Sequence, residues 1–210
     1  MKVLLVNGSP RGEMCTYTAL EEVAKALEEQ EIETEIFQLG DAAIAGCIAC
    51  GACRKTRKCF MDDIVNDFLD KAKDFDGFIF GSPVYYAGLS GSITSFLDRA
   101  FYADTAQFRG KPGAGILSCR RSGSTAAFDQ LNKYFTISEM PVVSSHYWNM
   151  VHGNSPEEVK QDLEGMQMMR VLGQNMAWIL KCIHAGKLAG IELPKKERRV
   201  WTNFIRREQR

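Results

Sequence analysis

The segment MKVLLVNGSP, residues 1–10, places an uninterrupted apolar run, Val3 to Val6, directly before the turn-forming residues Asn7 to Pro10. Such a run is typical of a strand that is buried on both faces of a parallel sheet. The segment GFIFGSP, residues 77–83, repeats the pattern. Apolar residues at helical spacing follow both segments. The sequence therefore predicts an α/β fold with a doubly wound parallel sheet.

The rest of the chain continues this alternation of strands and helices. Further strands are predicted at residues 32–37, 114–117 and, briefly, 142–143, and helices at residues 16–30, 62–73, 90–101, 124–135 and 155–184. We therefore predict a five-stranded sheet in one domain, residues 1–190, with a cysteine-rich loop at residues 46–60. Residues 191–210 form a predicted basic tail, because Pro194–Arg210 holds seven Lys or Arg residues against two Glu.

Composition and charge exclude several classes of protein. The chain has 210 residues, 45% of them hydrophobic, which suffices for a large core. Lys plus Arg and Asp plus Glu number 26 each, so the basic excess typical of nucleic-acid binding is missing. The four-residue apolar run at the start is too short for a signal peptide, and no run of 18 apolar residues suggests a membrane span. We expect a cytoplasmic protein without nucleic-acid or membrane partners.

The predicted helix at residues 155–184 carries two apolar stripes. Val159, Leu163 and Met166 begin one, and Met169 and Leu172 begin the other. One stripe is enough to pack a helix on a core, so the second predicts a homodimer or homotetramer. Covering of the second stripe by loops is the alternative.

The loop after the first strand, NGSPRGEMCT at residues 7–16, offers groups that suit a phosphate. Ser9 and Thr16 supply hydroxyls, Arg11 supplies a positive fork, and a helix N-terminus follows. The segment matches neither G-x-G-x-x-G nor G-x-x-x-x-G-K-[ST], which disfavours a dinucleotide or a nucleoside triphosphate. A single phosphate fits a mononucleotide. An ordinary capped turn is the alternative.

Two further loops should meet the first at the carboxyl edge of the sheet. GSPVYY, residues 81–86, offers a rigid apolar edge and two flat rings, whereas SCRRSGST, residues 118–125, offers cations and a glycine. Each loop alone is weak evidence for a ligand. The three loops together, with phosphate-binding, aromatic and cationic groups, favour a planar, phosphorylated cofactor.

The pairing of GSPR-x4-T with GSPVYY resembles the NAD(P)H-dependent FMN reductase family, whose fold is flavodoxin-like. The resemblance covers roughly residues 1–153, and it implies that FMN lies on the three loops. The implied FMN-binding residues are Ser9, Arg11, Cys15 and Thr16 for the phosphate, Pro83, Val84, Tyr85 and Tyr86 for the ribityl chain and ring, and Cys119, Arg120, Arg121 and Gly123 for the isoalloxazine border. No side chain is assigned a catalytic role, because the flavin carries the chemistry.

Four clustered cysteines, Cys47, Cys50, Cys53 and Cys59, resemble the compact motif of the iron–sulfur flavoproteins. Their gaps of two, two and five residues could wrap a [4Fe–4S] cubane, which needs four thiolates. The basic residues between Arg54 and Lys58 would offset its negative charge. Zinc is a rival that usually uses two well-separated cysteine pairs. A metal-free thiol loop, such as one that forms a reversible disulfide, is the other alternative.

The resemblance implies an FMN-dependent oxidoreductase in which a [4Fe–4S] cluster passes electrons to FMN. NAD(P)H or ferredoxin would be the electron donor. Two other functions stay open at this point. The first is a cluster-free NAD(P)H-dependent FMN or quinone reductase, and the second is a non-catalytic redox sensor or electron carrier.

Overall fold

The computed structural model describes residues 1–198, 200 and 202. Its strands are β1 (Lys2–Asn7), β2 (Glu33–Gln38), β3 (Gly77–Tyr85), β4 (Gly88–Leu89), β5 (Gly113–Cys119) and β6 (Met150–His152). Its α-helices are α1 (Cys15–Glu28), α2 (Cys53–Thr56), α3 (Ile64–Lys71), α4 (Gly91–Ala103), α5 (Ser124–Ile137), α6 (Pro156–Gln161) and α7 (Leu163–Leu188). Two 3-10 turns, Ala72–Asp74 and Thr105–Gln107, connect neighbouring elements.

The main sheet has the strand order β2-β1-β3-β5-β6, and all its neighbouring strands are parallel. The sixth strand, β4, pairs antiparallel with the end of β3. The strand order reverses beside β1, so a crevice opens beyond the carboxyl ends of β1 and β3. The predicted doubly wound, flavodoxin-like parallel sheet is confirmed.

Helices cover both faces of the sheet and bury two separate cores. On one face α3, α4 and α5 enclose a core rich in phenylalanine, where the Phe68 ring lies 4.9 Å from the Phe96 ring, centroid to centroid. On the other face α1, α6 and α7 pack on aliphatic and methionine side chains. The apolar runs of β1 and β3 contribute to both cores, since successive side chains of a strand point to opposite faces.

The prediction of a fifth strand at residues 142–143 was wrong. Val142 makes only an isolated bridge with Gly113, and the strand beside β5 is β6, eight residues later. Buried Asn149 explains the interruption. Its side-chain amide donates to the Gly115 carbonyl (3.1 Å), and its own carbonyl accepts from the Leu117 N–H (3.0 Å). One side chain thus replaces part of the backbone pairing, which lets the segment between the two contacts leave the sheet.

The single helix predicted at residues 155–184 is two helices, α6 and α7, separated at Asp162. The Asp162 backbone has left the helical region, with φ −75° and ψ 78°. Its carboxylate accepts from the Gly165 N–H (3.0 Å), capping α7, and from the His152 N–H (2.7 Å), holding β6. The break is stable because the Asp162 carboxylate accepts a hydrogen bond from a backbone N–H in the first turn of α7 that would otherwise lack a partner.

Apart from Leu163, which is exposed, the residues that begin both apolar stripes of this region pack into the core of their own chain. Val159 and Met166 from one stripe and Met169 and Leu172 from the other belong to the same buried cluster. The second stripe therefore does not supply an exposed surface. It is covered by the core of its own chain, not by loops. The predicted homodimer or homotetramer stays a prediction.

The chain beyond α7 has neither helix nor strand as far as the structure describes it. Arg109 donates to the Pro194 carbonyl (2.8 Å), so the first residues of the predicted tail contact the domain. Arg199, Trp201 and residues 203–210, which complete that tail, lie outside the described residues. The domain boundary at residue 190 stays a prediction. None of the helices in the described part of the chain is both long and apolar enough to span a membrane.

Candidate functional site

A cleft of about 290 Å³ opens at the carboxyl edge of the sheet, close to the usual size of a small-molecule site. The loops that follow β1, β3, β5 and β6 form its walls. The lining residues are Ser9, Arg11, Met14, Cys15, Thr16, Pro83, Val84, Tyr85, Ser118, Cys119, Arg120, Gly153 and Asn154. The three loops singled out in the sequence therefore meet at one place.

The loops after β1 and β3 touch through their backbones. The Gly8 N–H donates to the Gly81 carbonyl (2.8 Å), and a Cβ on Gly8 would lie only 2.8 Å from that same oxygen. Glycine is therefore required at this close approach. Ser90, which caps α4, donates its hydroxyl to the Gly8 carbonyl (3.1 Å) and ties both loops to that helix.

Buried Asn7 and its neighbour Gln38 shape the first loop. The Asn7 side-chain carbonyl accepts from the Ser9 N–H (3.1 Å), and Gln38 donates to the Ser9 carbonyl (2.9 Å). The Ser9 hydroxyl oxygen in turn accepts from the Arg11 N–H (3.1 Å). Ser9 is thus held in place while its hydroxyl proton remains able to donate into the cleft.

The N-terminus of α1 faces the cleft. Met14 precedes the helix and offers no side-chain cap, so the first N–H groups of α1 can serve an anion. Cys15 and Cys119 both line the cleft, and burial raises the pKa of each thiol above its ordinary value. Both thiols are therefore neutral at pH 7 and do not repel a phosphate.

The Thr16 hydroxyl is engaged within the protein. It forms a 2.7 Å hydrogen bond with the hydroxyl of Ser118, at the end of β5. Thr16 was predicted to hold the phosphate with its side chain. The Thr16 side chain therefore also has a structural role, because its hydrogen bond links the start of α1 to the third loop.

A tight hairpin carries the two tyrosines. Tyr85 pairs with Gly88, and the two residues between them, Tyr86 and Ala87, have positive φ angles of 50° and 59°. Such angles are unusual for non-glycine residues and suit the type I′ turn of a two-residue hairpin. The turn directs Tyr85 to the cleft and leaves the Tyr86 side chain fully exposed.

Nine of the twelve residues predicted to bind FMN line the cleft, and Tyr86, Arg121 and Gly123 do not. Tyr86 and Arg121 are exposed, whereas Gly123 caps α5 with a φ of 92°. The cleft also includes Gly153 and Asn154, which the sequence reasoning missed. Both residues directly follow β6. Because the sequence analysis placed the fifth strand at residues 142–143, it did not identify the loop after β6 as one that follows a strand end.

The four clustered cysteines line a second, separate pocket. Cys47 and Cys50 are exposed, whereas Cys53 and Cys59 are partly buried. The backbone curls around the pocket through three positive φ angles, 54° at Ala49, 75° at Gly51 and 59° at Arg57. Left-handed backbone at non-glycine positions costs energy and is concentrated at functional sites.

Nitrogen donors point at two of the sulfur atoms in this pocket. The Ala49 N–H approaches the Cys47 sulfur at 3.4 Å, and the Arg99 Nε–H approaches the Cys59 sulfur at 3.2 Å. The basic residues of the loop were expected to offset a cluster's charge. Arg57 and Lys58 instead pair with Asp104 (3.2 Å) and Asp70 (2.6 Å).

Sequence reasoning missed Arg99, which lies on α4, forty residues beyond Cys59. Its sequence signal was weak: a basic residue in the helical segment FLDRAF, which follows an acidic residue, Asp98, and is otherwise surrounded by apolar residues.

The four thiols that line the cysteine pocket are the donor set that a [4Fe–4S] cluster needs. Within the described residues, no group of three or more His, Cys, Asp or Glu side chains is placed to hold one metal ion. Burial, and then the nearby thiols of the same group, raise the pKa of Cys53, and bound iron would offset that repulsion.

The chain matches the model of a family described as NADPH-dependent FMN reductase over residues 1–155. It is 35% identical to an iron–sulfur flavoprotein of Methanocaldococcus jannaschii, covering 87% of this chain and 99% of that protein. It is 30% identical to an iron–sulfur flavoprotein of Archaeoglobus fulgidus, covering 84% of this chain and 95% of that protein. A solved archaeal flavodoxin superposes with a TM-score of 0.59 at 17% identity, covering 86% of this chain and 99% of the flavodoxin.

Proposed function

We propose that the four-cysteine loop of this chain, which belongs to the NADPH-dependent FMN reductase family, holds a [4Fe–4S] cluster that exchanges electrons with FMN. Within that family the chain is one of the iron–sulfur flavoproteins, and it is an FMN-dependent oxidoreductase. One observation carries this proposal. A cleft suited to a phosphorylated, planar molecule and a pocket lined by four thiols occur in the same domain. When bound, FMN and the cluster supply the redox chemistry, and the protein supplies their binding and positioning.

We propose that the loop after β1 and the start of α1 bind the FMN phosphate. Arg11 offers its guanidinium, Ser9 its hydroxyl, and α1 its uncapped N–H groups. Pro83 and Tyr85 would contact the ribityl chain and the ring. Val84, Cys119 and Arg120 complete the wall of the cleft. The protein would thus position the flavin mainly through backbone and uncharged groups, with one cation, Arg11, at the phosphate end and another, Arg120, at the isoalloxazine border.

Helix α4 connects the two sites. Its cap, Ser90, contacts the first loop, and Arg99 on the same helix contacts Cys59. Nine residues of helix separate these contacts, a rise of about 14 Å. The cleft and the cysteine pocket have no lining residue in common. We propose that the predicted homodimer or homotetramer brings the cluster of one chain near the FMN of another.

NAD(P)H or a ferredoxin is the proposed electron donor, and the cytoplasm is the proposed location. A nicotinamide would deliver its electrons as a hydride to FMN, whereas ferredoxin would deliver them singly and so suits the cluster. Steady-state oxidation of NADPH and of reduced ferredoxin with added acceptors separates these donors.

Anaerobic purification followed by metal analysis and a visible spectrum tests the proposal. We expect one FMN and about four irons with four sulfides per chain, as a [4Fe–4S] cluster requires. Cys59→Ser should lose most of the iron and sulfide while it keeps FMN. Cys182→Ser is the matched control, because Cys182 is an exposed cysteine on α7 outside the loop, and it should keep both.

The other outcomes identify the alternatives. A yellow protein that oxidises NADPH and holds no iron is a cluster-free FMN or quinone reductase. A protein that holds iron but accepts electrons from neither donor is a sensor or carrier. Zinc in place of iron after anaerobic preparation would overturn the cluster.

A further inference from the structure

Arg99 is a fully buried charge with an unusual set of partners. Both of its terminal nitrogens contact the Asp63 carboxylate, at 2.7 and 2.8 Å. The same nitrogens donate to the carbonyls of Ala45 (3.3 Å) and Met61 (3.1 Å). The remaining donor, Nε–H, points at the Cys59 sulfur at 3.2 Å. All five N–H donors of the guanidinium are therefore used.

These partners enclose the cysteine loop. Ala45 lies just before Cys47, and Met61 lies just after Cys59, so Arg99 joins the two ends of the loop on the side of α4. Asn66, buried on α3, strengthens the second end. Its side chain accepts from the Cys59 N–H (2.9 Å) and donates to the Cys59 carbonyl (3.0 Å). Cys59 is therefore held at its sulfur and at both backbone groups.

A fully buried arginine charge, paired with a partly exposed Asp63, is poorly explained by stability alone. The cost of removing a charge from water often exceeds the attraction of its partner, and apolar residues of similar size commonly stabilise a fold as well. The cation also lines the pocket formed by the four cysteines and contacts one of their sulfurs. Groups that donate to a cluster's sulfur ligands orient those ligands and alter its reduction potential.

We propose that Arg99 is a positioning residue for the cluster. It holds Cys59 and the two ends of the loop in the ligating arrangement before iron arrives, and its N–H···S contact raises the reduction potential of the bound cluster. This inference rests on the proposed function. Its experiment therefore has one measurement on the metal-free protein and another on the loaded protein.

Arg57 provides a matched control. Both side chains are arginines near the loop, but Arg57 is exposed and pairs with Asp104, whereas the Arg99 side chain is completely buried. Arg57→Gln removes one positive charge from the region without touching a cysteine sulfur. Arg99→Lys keeps the charge but loses the fork that reaches Asp63 and Cys59 together. Comparison of Arg57→Gln with Arg99→Lys therefore distinguishes the effect of losing a positive charge from the effect of losing the contacts to Asp63 and Cys59.

The first measurement is hydrogen exchange of backbone amides in the metal-free protein. At the hydrogen-bonded amides of residues 45–61, such as that of Cys59, Arg99→Lys and Arg99→Gln should exchange at least about tenfold faster than the wild type, because about 1.4 kcal/mol of local stability is lost. Arg57→Gln should exchange like the wild type there. Equal exchange in all four proteins would overturn the positioning role.

The second measurement follows anaerobic reconstitution with iron and sulfide. Arg99→Lys should hold less iron per chain, and its remaining cluster should be reduced at a potential lower by about 59 mV, a tenfold change for one electron. Arg57→Gln should shift the potential less, because an exposed charge is screened. Wild-type potential and iron content in Arg99→Lys would overturn the inference while leaving the cluster intact.

Failure of the proposed function looks different. If the wild type itself takes up no iron and sulfide, both the cluster and the role of Arg99 toward it are wrong. Bound FMN reports folding in every variant, since its cleft has no lining residue in common with the cysteine pocket. Should both Arg99 variants fail to bind FMN, Asp63→Asn is the milder change. Asp63→Asn weakens the contact of residue 63 with Arg99. Hydrogen exchange and the content and potential of the cluster in this variant then test whether Arg99 positions the loop.

Discussion

At the scale of single residues, Arg11 is the cation that the first loop brings to the cofactor cleft. Arg11→Gln should weaken FMN binding roughly tenfold, about 1.4 kcal/mol, because an exposed charge-assisted contact to the phosphate is lost. Riboflavin has no phosphate, so its affinity should stay unchanged. Fluorescence titration of the apoprotein with both flavins measures the two dissociation constants.

Arg121→Gln is the control for that change. Arg121 is an exposed arginine that lies outside the cleft, so its removal alters net charge equally. It should leave FMN affinity within a factor of about two at physiological salt. An equal loss of FMN and riboflavin affinity in Arg11→Gln would contradict a phosphate contact.

Cys15 predicts a pH dependence of FMN binding. Burial raises its pKa above the ordinary value of 9.0, although Arg11 acts weakly in the opposite direction. The thiol is therefore still neutral at pH 9.0 and becomes an anion beside the phosphate site only at more alkaline pH. FMN affinity should fall at alkaline pH by roughly fivefold, the effect of about 1 kcal/mol of repulsion.

Cys15→Ser removes this titration and should retain more FMN affinity than the wild type at strongly alkaline pH, where the wild-type thiol ionises. Both proteins should bind FMN similarly at pH 7, because the wild-type thiol is uncharged there. Parallel curves for the two proteins across the alkaline range would show that the Cys15 thiol does not face the phosphate.

At the scale of elements, the hairpin of β3 and β4 leans on the start of α5. Gly123 has a φ of 92°, and a Cβ there would lie 2.8 Å from the Ala87 Cα. Gly123→Ala should therefore cost about 1–3 kcal/mol of unfolding free energy and shift the hairpin that presents Tyr85. We expect a lower midpoint of thermal unfolding together with weaker FMN binding.

Gly91→Ala is the matched control. Gly91 begins α4, and a Cβ there would meet no atom within 4 Å. That substitution should be neutral or stabilise slightly, by up to about 1 kcal/mol. If the two alanine variants unfold at the same temperature, the contact between the hairpin and α5 does not constrain the fold.

The junction between α6 and α7 depends on one carboxylate. Asp162→Ala removes the cap of α7 and the contact that holds the His152 N–H, and it should cost about 1–3 kcal/mol. Asp162→Asn retains a carbonyl acceptor and should lose less. Chemical denaturation measured in parallel gives both free energies. Equal losses would show that the charge, not the hydrogen bonds, stabilises the break.

At the scale of the whole molecule, assembly remains the main prediction. Most residues of the apolar stripes that suggested it are buried, but Leu163 of the first stripe and Trp178, both on α7, are 77% and 67% exposed. Exposed apolar side chains of this size on one helix favour contact with another chain. We expect a homodimer or homotetramer by sedimentation equilibrium, and Trp178→Lys should weaken it.

Thr136→Lys adds the same charge to α5, which packs on the opposite face of the sheet, and it should leave assembly unchanged. A wild-type monomer at all accessible concentrations would contradict the predicted oligomer. It would also remove the proposed route from the cluster of one chain to the FMN of another.

The sequence by itself determined the class of fold and the location of the cofactor cleft. Apolar runs such as Val3–Val6 are local signals, since a strand buried on both faces must be apolar throughout. Parallel strands place their carboxyl ends at one edge, so the loops after β1, β3 and β5 had to meet there. The spacing of the four cysteines was likewise readable along the chain.

Only the tertiary structure decided which residues complete these sites. Asn149 interrupts the last strand because its side-chain amide donates to the Gly115 carbonyl while its backbone carbonyl accepts from the Leu117 N–H, and this moved β6 and added Gly153 and Asn154 to the cleft. Arg99 reaches Cys59 from forty residues away. Such contacts depend on how helices and strands pack in three dimensions, and hydrophobic periodicity along a chain carries no information about them.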